Sequence, residues 1–151
     1  LELLRFPGRF DYSIEVEAGI DPDLTLIPPF IIQPYVENAI RHGFCEVGHP
    51  CHLRVKVQAL RSERILEIVI TDNGTGLKQT QKRSAQLAHP PAARRIHSLE
   101  ITGKRILLLN EPGEKRYWSR AEELEHEGRP QGTRVTLRLP LVTDMSKHKK
   151  A

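Results

Sequence analysis

The chain has 151 residues, of which 38% are hydrophobic and 28% charged, and this suffices to bury the core of one ordinary globular domain. The formal charge of +4 comes from basic residues spread along the sequence, with no aromatic residues interleaved among them, so we exclude a nucleic-acid-binding surface. Two cysteines are too few for a disulfide scaffold and fit a reducing compartment. No apolar run is long enough to span a membrane.

Alternating side chains predict a half-buried strand that begins at Phe10, followed by a turn from Gly19 to Asp23. The apolar stretch from Leu24 to Ile40 then predicts a helix. Pro28 and Pro29 suit its first turn, whereas Pro34 either kinks the helix or marks its true start. The strands predicted by apolar patterning span residues 10–17, 53–59, 65–71, 115–120 and 133–141.

Residues 72–97 have no periodic pattern and include Pro90 and Pro91, so we expect a long loop, which in a compact domain is usually functional or disordered. A helix is predicted from Ile101 to Leu109. Strands mixed with two helices imply an α+β fold, a two-layer sandwich with the helices on one face of a mixed, mostly antiparallel sheet.

The first polar cluster lies at the end of the earlier helix and comprises Glu37, Asn38, Arg41 and His42. Their spacing places all four on one stripe, opposite the apolar stripe that faces the sheet. A carboxylate, an amide, a guanidinium and an imidazole are the groups that a Mg²⁺–polyphosphate complex needs. The alternative is a solvated outer face that carries a Glu37–Arg41 ion pair.

Two glycine-containing segments lie next to predicted strands, the first directly after a strand and the second directly before one. The first segment, residues 72–76 (DNGTG), comes after a buried strand. Gly74 and Gly76 allow the backbone to approach a ligand closely and to adopt positive φ. The Asp72 carboxylate can accept a hydrogen bond from the exocyclic amine of adenine. The alternative is a hairpin turn at Asn-Gly. Gly132-Thr133 before the last strand either orients a phosphate loop or turns the chain.

The run from Ile27 to Gly43, IPPFIIQPYVENAIRHG, resembles the asparagine motif of the sensor histidine kinases, and within them the LytS/YehU-like branch with its Pro-Pro and Gln-Pro run. The segment from Asp72 to Leu77, DNGTGL, resembles the first glycine motif of that family, and Gly132-Thr133 the final one. The resemblance implies the Bergerat (GHKL) ATPase sandwich shared with Hsp90, DNA gyrase and MutL.

The resemblance also implies a role for each matched residue. Asn38 would coordinate Mg²⁺, and Glu37 would orient the metal's surroundings or assist transfer, so these two are the expected catalytic residues. Near the phosphates we expect Arg41, His42 and Lys104. Around the base we expect Asp72 on the adenine amine, with its pocket shaped or supported by Gly74, Gly76, Gly132 and Thr133.

The resemblance implies a linker or helix end at 1–9, the ATP-binding domain at 10–142 and a basic tail at 143–151, with the ATP lid at 77–97. The lid of this branch usually ends in a serine and a glycine. Here the segment from Ser98 to Arg105 keeps the frame but lacks the glycine that the family has after the serine and ahead of the helix, as if two residues were deleted. Lys104 and Arg105 would partly compensate.

The implied function is that of the ATP-binding catalytic domain of a two-component sensor kinase, which transfers the γ-phosphoryl of Mg²⁺–ATP to a histidine on a preceding dimerisation segment. The chain begins without Met and is expected to be a fragment that does not autophosphorylate. The full-length protein would be a homodimer, anchored in the bacterial inner membrane with this domain in the cytoplasm, and would signal to a response regulator. The alternative is a degenerate regulatory domain of the same fold.

A zinc-binding module is a further alternative. His42, Cys45, His49, Cys51 and His52 lie within eleven residues, and both residue types bind zinc, although their spacing fits no standard zinc knuckle. A zinc assay would test this hypothesis.

Overall fold

The computed structural model describes residues 10–40, 50–76 and 90–144, and these form an α+β sandwich. Seven strands and two α-helices make up this part of the chain. In chain order they are β1 (Phe10–Val16), β2 (Thr25–Leu26), α1 (Gln33–Asn38), β3 (Cys51–Leu60), β4 (Ile65–Asp72), α2 (Pro90–Leu107), β5 (Trp118–His126), β6 (Arg129–Pro140) and β7 (Val142–Thr143).

Five strands form the main sheet in the order β1-β3-β4-β6-β5. β1 pairs in parallel with β3, and the other three pairs are antiparallel, so the sheet is mixed and mostly antiparallel as predicted. β2 and β7 form a separate two-stranded antiparallel ribbon. A short 3-10 turn at Arg61–Glu63 joins β3 to β4, and the next residue, Arg64, closes this turn with a left-handed backbone at φ +54°.

The core lies between one face of the sheet and the two helices. Ile106 of α2 and Leu137 and Leu139 of β6 are completely buried there, and α1 contributes Tyr35. The burial of β4 is nearly continuous, because this central strand has a neighbour on each side and helices over one face. Neither described helix is long and apolar enough to cross a membrane.

Both helices begin at residues other than those predicted. α1 begins at Gln33 with Pro34 in its first turn, so Pro34 marks the true start and the expectation for Pro28 and Pro29 was wrong. Proline is tolerated in a first turn because the amide hydrogen that it lacks would have no partner there. α2 begins at Pro90, eleven residues before the predicted start, so the end of the predicted loop is helical.

The edge strands differ from the sequence prediction in exposure and in position. Tyr12, Ile14 and Val16 of β1 are 42–63% exposed, so the strand is less buried than its alternation predicts. β1 is an edge strand of the sheet. The alternation of its side chains specifies which residues share a face, but not whether another element covers that face. β5 spans Trp118–His126 instead of the predicted residues 115–120. Its sequence is mostly polar and has little strand pattern, so the sequence did not indicate its bounds.

Candidate functional site

A cavity of about 420 Å³ lies between the helices and the core face of the sheet, a size typical of small-molecule sites. Its walls are mainly apolar, from Ile70, Val135 and Leu99 among others. Four polar residues of the sequence prediction lie apart in the chain but line this one cavity: Asn38, Asp72, Lys104 and Thr133.

Asp72 is the buried acid of the cavity. It ends β4, only 6% of its surface is exposed, and it lies directly across from Thr133 on β6. Its Oδ1 accepts a hydrogen bond from the Gly74 backbone N–H at 2.9 Å, and its carboxylate accepts others from the Thr133 backbone N–H and hydroxyl. Burial raises the pKa of Asp72 from 3.8 to about 6, against the lowering effect of these hydrogen bonds. The carboxylate is therefore mostly ionised at neutral pH.

Gly132 is required by close packing. Its φ is +129°, and a Cβ at this position would lie 1.9 Å from the backbone oxygen of Asp72. The absence of a side chain thus lets β6 approach the end of β4, which brings Thr133 into hydrogen-bonding range of the Asp72 carboxylate. Gly132 and Thr133 lie within β6, so they do not turn the chain, and their role in orienting a phosphate stays a prediction.

The segment after Asp72 contains a side chain that fixes the start of β3, which we call the latch, and a tight turn. The Asn73 side chain accepts a hydrogen bond from the His52 N–H at 2.6 Å and donates one to the Pro50 carbonyl at 2.9 Å, so it holds the start of β3. Gly76 has φ +81°, whereas Gly74 has no positive φ, which corrects the expectation for Gly74. Neither glycine lines the cavity in the described part of the chain.

The residues expected around metal and phosphate are only partly brought together. Asn38 and the exposed Lys104 line the cavity. Glu37 does not, and instead accepts a hydrogen bond from the Gln33 amide at 2.7 Å. Arg105 donates to the Pro29 carbonyl at 3.1 Å and ties α2 to the segment before α1, which is a structural role.

Several predicted features fall outside the described residues. They are Arg41, His42, the linker at 1–9, residues 77–89 of the lid and the tail beyond Asp144. Three residues of the zinc hypothesis, His42, Cys45 and His49, are among them, and Cys51 is buried. Within residues 10–40, 50–76 and 90–144, no group of three or more His, Cys, Asp or Glu side chains could hold a metal ion.

Sequence reasoning missed several residues that line the cavity, among them Tyr35, Gly103 and Ser119. Tyr35 precedes Asn38 by three residues on α1 and therefore lies on nearly the same helical face, a spacing that could have revealed it. Gly103 and Ser119 face one another across α2 and β5, and no local pattern indicates that contact.

Comparison with known proteins gives a consistent assignment. No family model matches the sequence. The chain is 32% identical over 111 residues to the sensor protein LytS of Bacillus cereus, which covers 74% of the chain and 17% of that protein. It is 38% identical over 79 residues to the sensor histidine kinase/phosphatase LytS of Staphylococcus aureus, covering 52% of the chain and 13% of that protein.

The chain is a domain of the LytS-like sensor histidine kinase family. Its fold agrees with that of solved histidine kinases, for example the mycobacterial sensor histidine kinase MprB, with a TM-score of 0.56 at 14% identity over 94% of this chain and 90% of that one. As a LytS-like domain it spans between 13% and 17% of the length of these curated relatives.

Proposed function

We propose that this LytS-like domain binds Mg²⁺–ATP in the cavity and presents the γ-phosphoryl group for transfer to a histidine. The observation that carries the proposal is the convergence of Asn38, Asp72, Lys104 and Thr133 on one mainly apolar cavity. An apolar slot with a few convergent polar groups, one of them with a strongly perturbed pKa, is typical of a ligand site.

Asp72 is the residue proposed to select adenine. A carboxylate has about four acceptor positions, and three are used by the Gly74 N–H, the Thr133 N–H and the Thr133 hydroxyl. One remains for a donor in the cavity, and the exocyclic amine of adenine supplies one. Guanine carries a carbonyl at that ring position and would place an acceptor against the ionised carboxylate.

The metal and phosphate part of the proposal rests on Asn38 and Lys104. Mg²⁺ in nucleotide sites uses few protein oxygens and completes its shell with phosphate oxygens and water, so a single amide oxygen from Asn38 fits its needs. When bound, the ion would neutralise charge on the β- and γ-phosphates. Lys104 adds a cation at the cavity wall, and Glu37, through its bond to Gln33, would steady the end of α1 beside Asn38.

In the proposed transfer a histidine nitrogen forms a bond to the γ-phosphorus, the bond from phosphorus to the bridging oxygen breaks, and ADP leaves. The chain's own contribution is to orient ATP and to keep its base in a dry cavity. We propose that the acceptor lies on a dimerisation segment of a membrane-anchored, homodimeric protein that signals to a response regulator. The chain alone would bind ATP without autophosphorylating.

Calorimetry on three proteins tests this function: the wild type, Asp72→Asn and Asn38→Asp, with Asp11→Asn as the matched control. Asp11 lies on β1 with an exposed carboxylate, so its variant makes the same chemical change outside the cavity. We expect Mg²⁺-dependent ATP binding by the wild type and the control, with at least about tenfold weaker binding by Asp72→Asn because a charge-assisted hydrogen bond is lost.

A degenerate regulatory domain is the second candidate, favoured by the continuous helix of α2. Where the family's lid ends in a glycine, this helix runs through Ser98 without interruption from Pro90 to Leu107, so no bare glycine backbone is available to a phosphate there. If the wild type does not bind ATP at millimolar concentration, this second candidate stands. Preferential binding of GTP would refute the role given to Asp72.

A further inference from the structure

The cavity has a further polar group in Tyr35, which the proposed function does not use. Its side chain is 94% buried against the core, since only 6% of the residue is exposed. Among the described residues its hydroxyl oxygen has no hydrogen-bond partner, although it is closed off from water. Buried hydroxyl groups without a partner are rare in folded proteins because their desolvation is uncompensated.

Ser119 on β5 is the polar neighbour of the Tyr35 hydroxyl. Burial raises the pKa of Tyr35, and the nearby Ser119 side chain lowers it, so the two groups interact electrostatically. Their present geometry is not that of a hydrogen bond. With its pKa raised, the phenol stays protonated at neutral pH and can donate to the Ser119 oxygen.

Ser119 is half-buried and lines the cavity, so a ligand in the cavity can contact its hydroxyl. The Tyr35 hydroxyl is fully buried and is not accessible in the same way. Gly103 makes this arrangement possible, because a Cβ at that position would lie 3.1 Å from the Ser119 Oγ. α2 therefore approaches β5 closely, and the serine hydroxyl lies against α2 at the wall of the cavity.

The sheet register places this hydroxyl at some distance from Asp72. Asp72 pairs with Thr133, whereas Ser119 pairs with Leu137, four residues further along β6. At about 3.3 Å per residue the two rows are about 13 Å apart along the strands. The row between them is apolar, with Ile70, Val135 and Ala121, and suits the face of a base.

We propose that Ser119, held by Tyr35, binds a hydroxyl group of the nucleotide ribose. This assignment rests on the proposed function, in which Asp72 takes the base and the Lys104 cation takes the phosphates. A neutral hydroxyl pair matches the remaining neutral polar part of ATP, the sugar. A small rotation of Ser119 gives it a hydrogen bond from the phenol while its own hydroxyl proton remains available to the ribose oxygen.

The test compares the binding of ATP, 2′-deoxy-ATP and 3′-deoxy-ATP by calorimetry. The proteins are the wild type, Ser119→Ala and Tyr35→Phe, with Ser62→Ala and Tyr12→Phe as matched controls at exposed positions. We expect the wild type to bind ATP about fivefold more tightly than one of the two deoxy analogues, the difference made by one neutral hydrogen bond.

Ser119→Ala should weaken ATP binding about fivefold and bind that deoxy analogue as tightly as ATP. Tyr35→Phe should reduce the discrimination without abolishing ATP binding, and a merely structural tyrosine would change only the unfolding temperature. If the discrimination persists in Ser119→Ala, the ribose assignment is overturned while the proposed function stands. If the wild type does not bind ATP at all, the proposed function fails, and the ribose assignment fails with it.

Discussion

The titration of Asp72 should make the domain less stable as the pH rises through the weakly acidic range. Its pKa is 3.8 in the unfolded chain and about 6 in the folded domain, so between these values the folded state binds the extra proton. Stability then falls with rising pH, because the unfolded state ionises first. This is the reverse of an ordinary ion-paired carboxylate, whose pKa is lowered by folding.

The size of the effect follows from the two pKa values. Full ionisation of Asp72 in its buried site costs about 3 kcal/mol, and about 2 kcal/mol of this develops between roughly pH 4.5 and pH 7.5. The comparison is with Asp72→Asn, which cannot titrate but keeps the shape of the side chain. The wild-type stability minus the variant stability should therefore decrease by about 2 kcal/mol over this pH range.

Urea unfolding at several pH values measures this difference, with the fluorescence of the single tryptophan, Trp118, as the signal. Subtraction of the variant removes the titration of all other groups. A difference that does not change with pH would show that burial does not perturb Asp72. A difference that increases with pH would show that the ionised carboxylate is stabilised in the folded state, and either result would refute the reasoning.

Three further predictions concern binding and packing. If the ionised Asp72 carboxylate is required, ATP should bind about tenfold more weakly near pH 5 than near pH 7.5, and calorimetry that shows no change contradicts this. Gly132→Ala should cost at least about 3 kcal/mol in urea unfolding because of the clash with the Asp72 backbone, whereas Gly113→Ala, which has a positive φ but open space, should cost only about 1 kcal/mol; equal losses would refute the packing argument. Asn73→Ala should cost about 1–3 kcal/mol by leaving the His52 N–H without its partner, and an unchanged unfolding midpoint would contradict its role as a latch.

The sequence by itself determined the fold class and the core strands. β3, β4 and β6 have strong apolar patterns, and the family motifs indicate the domain from the sequence alone. Asp72 was also placed correctly at the end of a buried strand, because the strand pattern stops there. These features are local, because each depends only on the order of neighbouring residues in the sequence.

The tertiary structure decided the features that depend on contacts between distant segments. The start of α2 at Pro90 and the exposure of β1 depend on which surfaces meet, and so does the requirement for glycine at position 132. The same holds for Tyr35 and Ser119, which are 84 positions apart in the chain and meet only when α1 and β5 enclose one cavity. Apolar patterning specifies which face of an element is buried, but not which side chains from other elements it will meet.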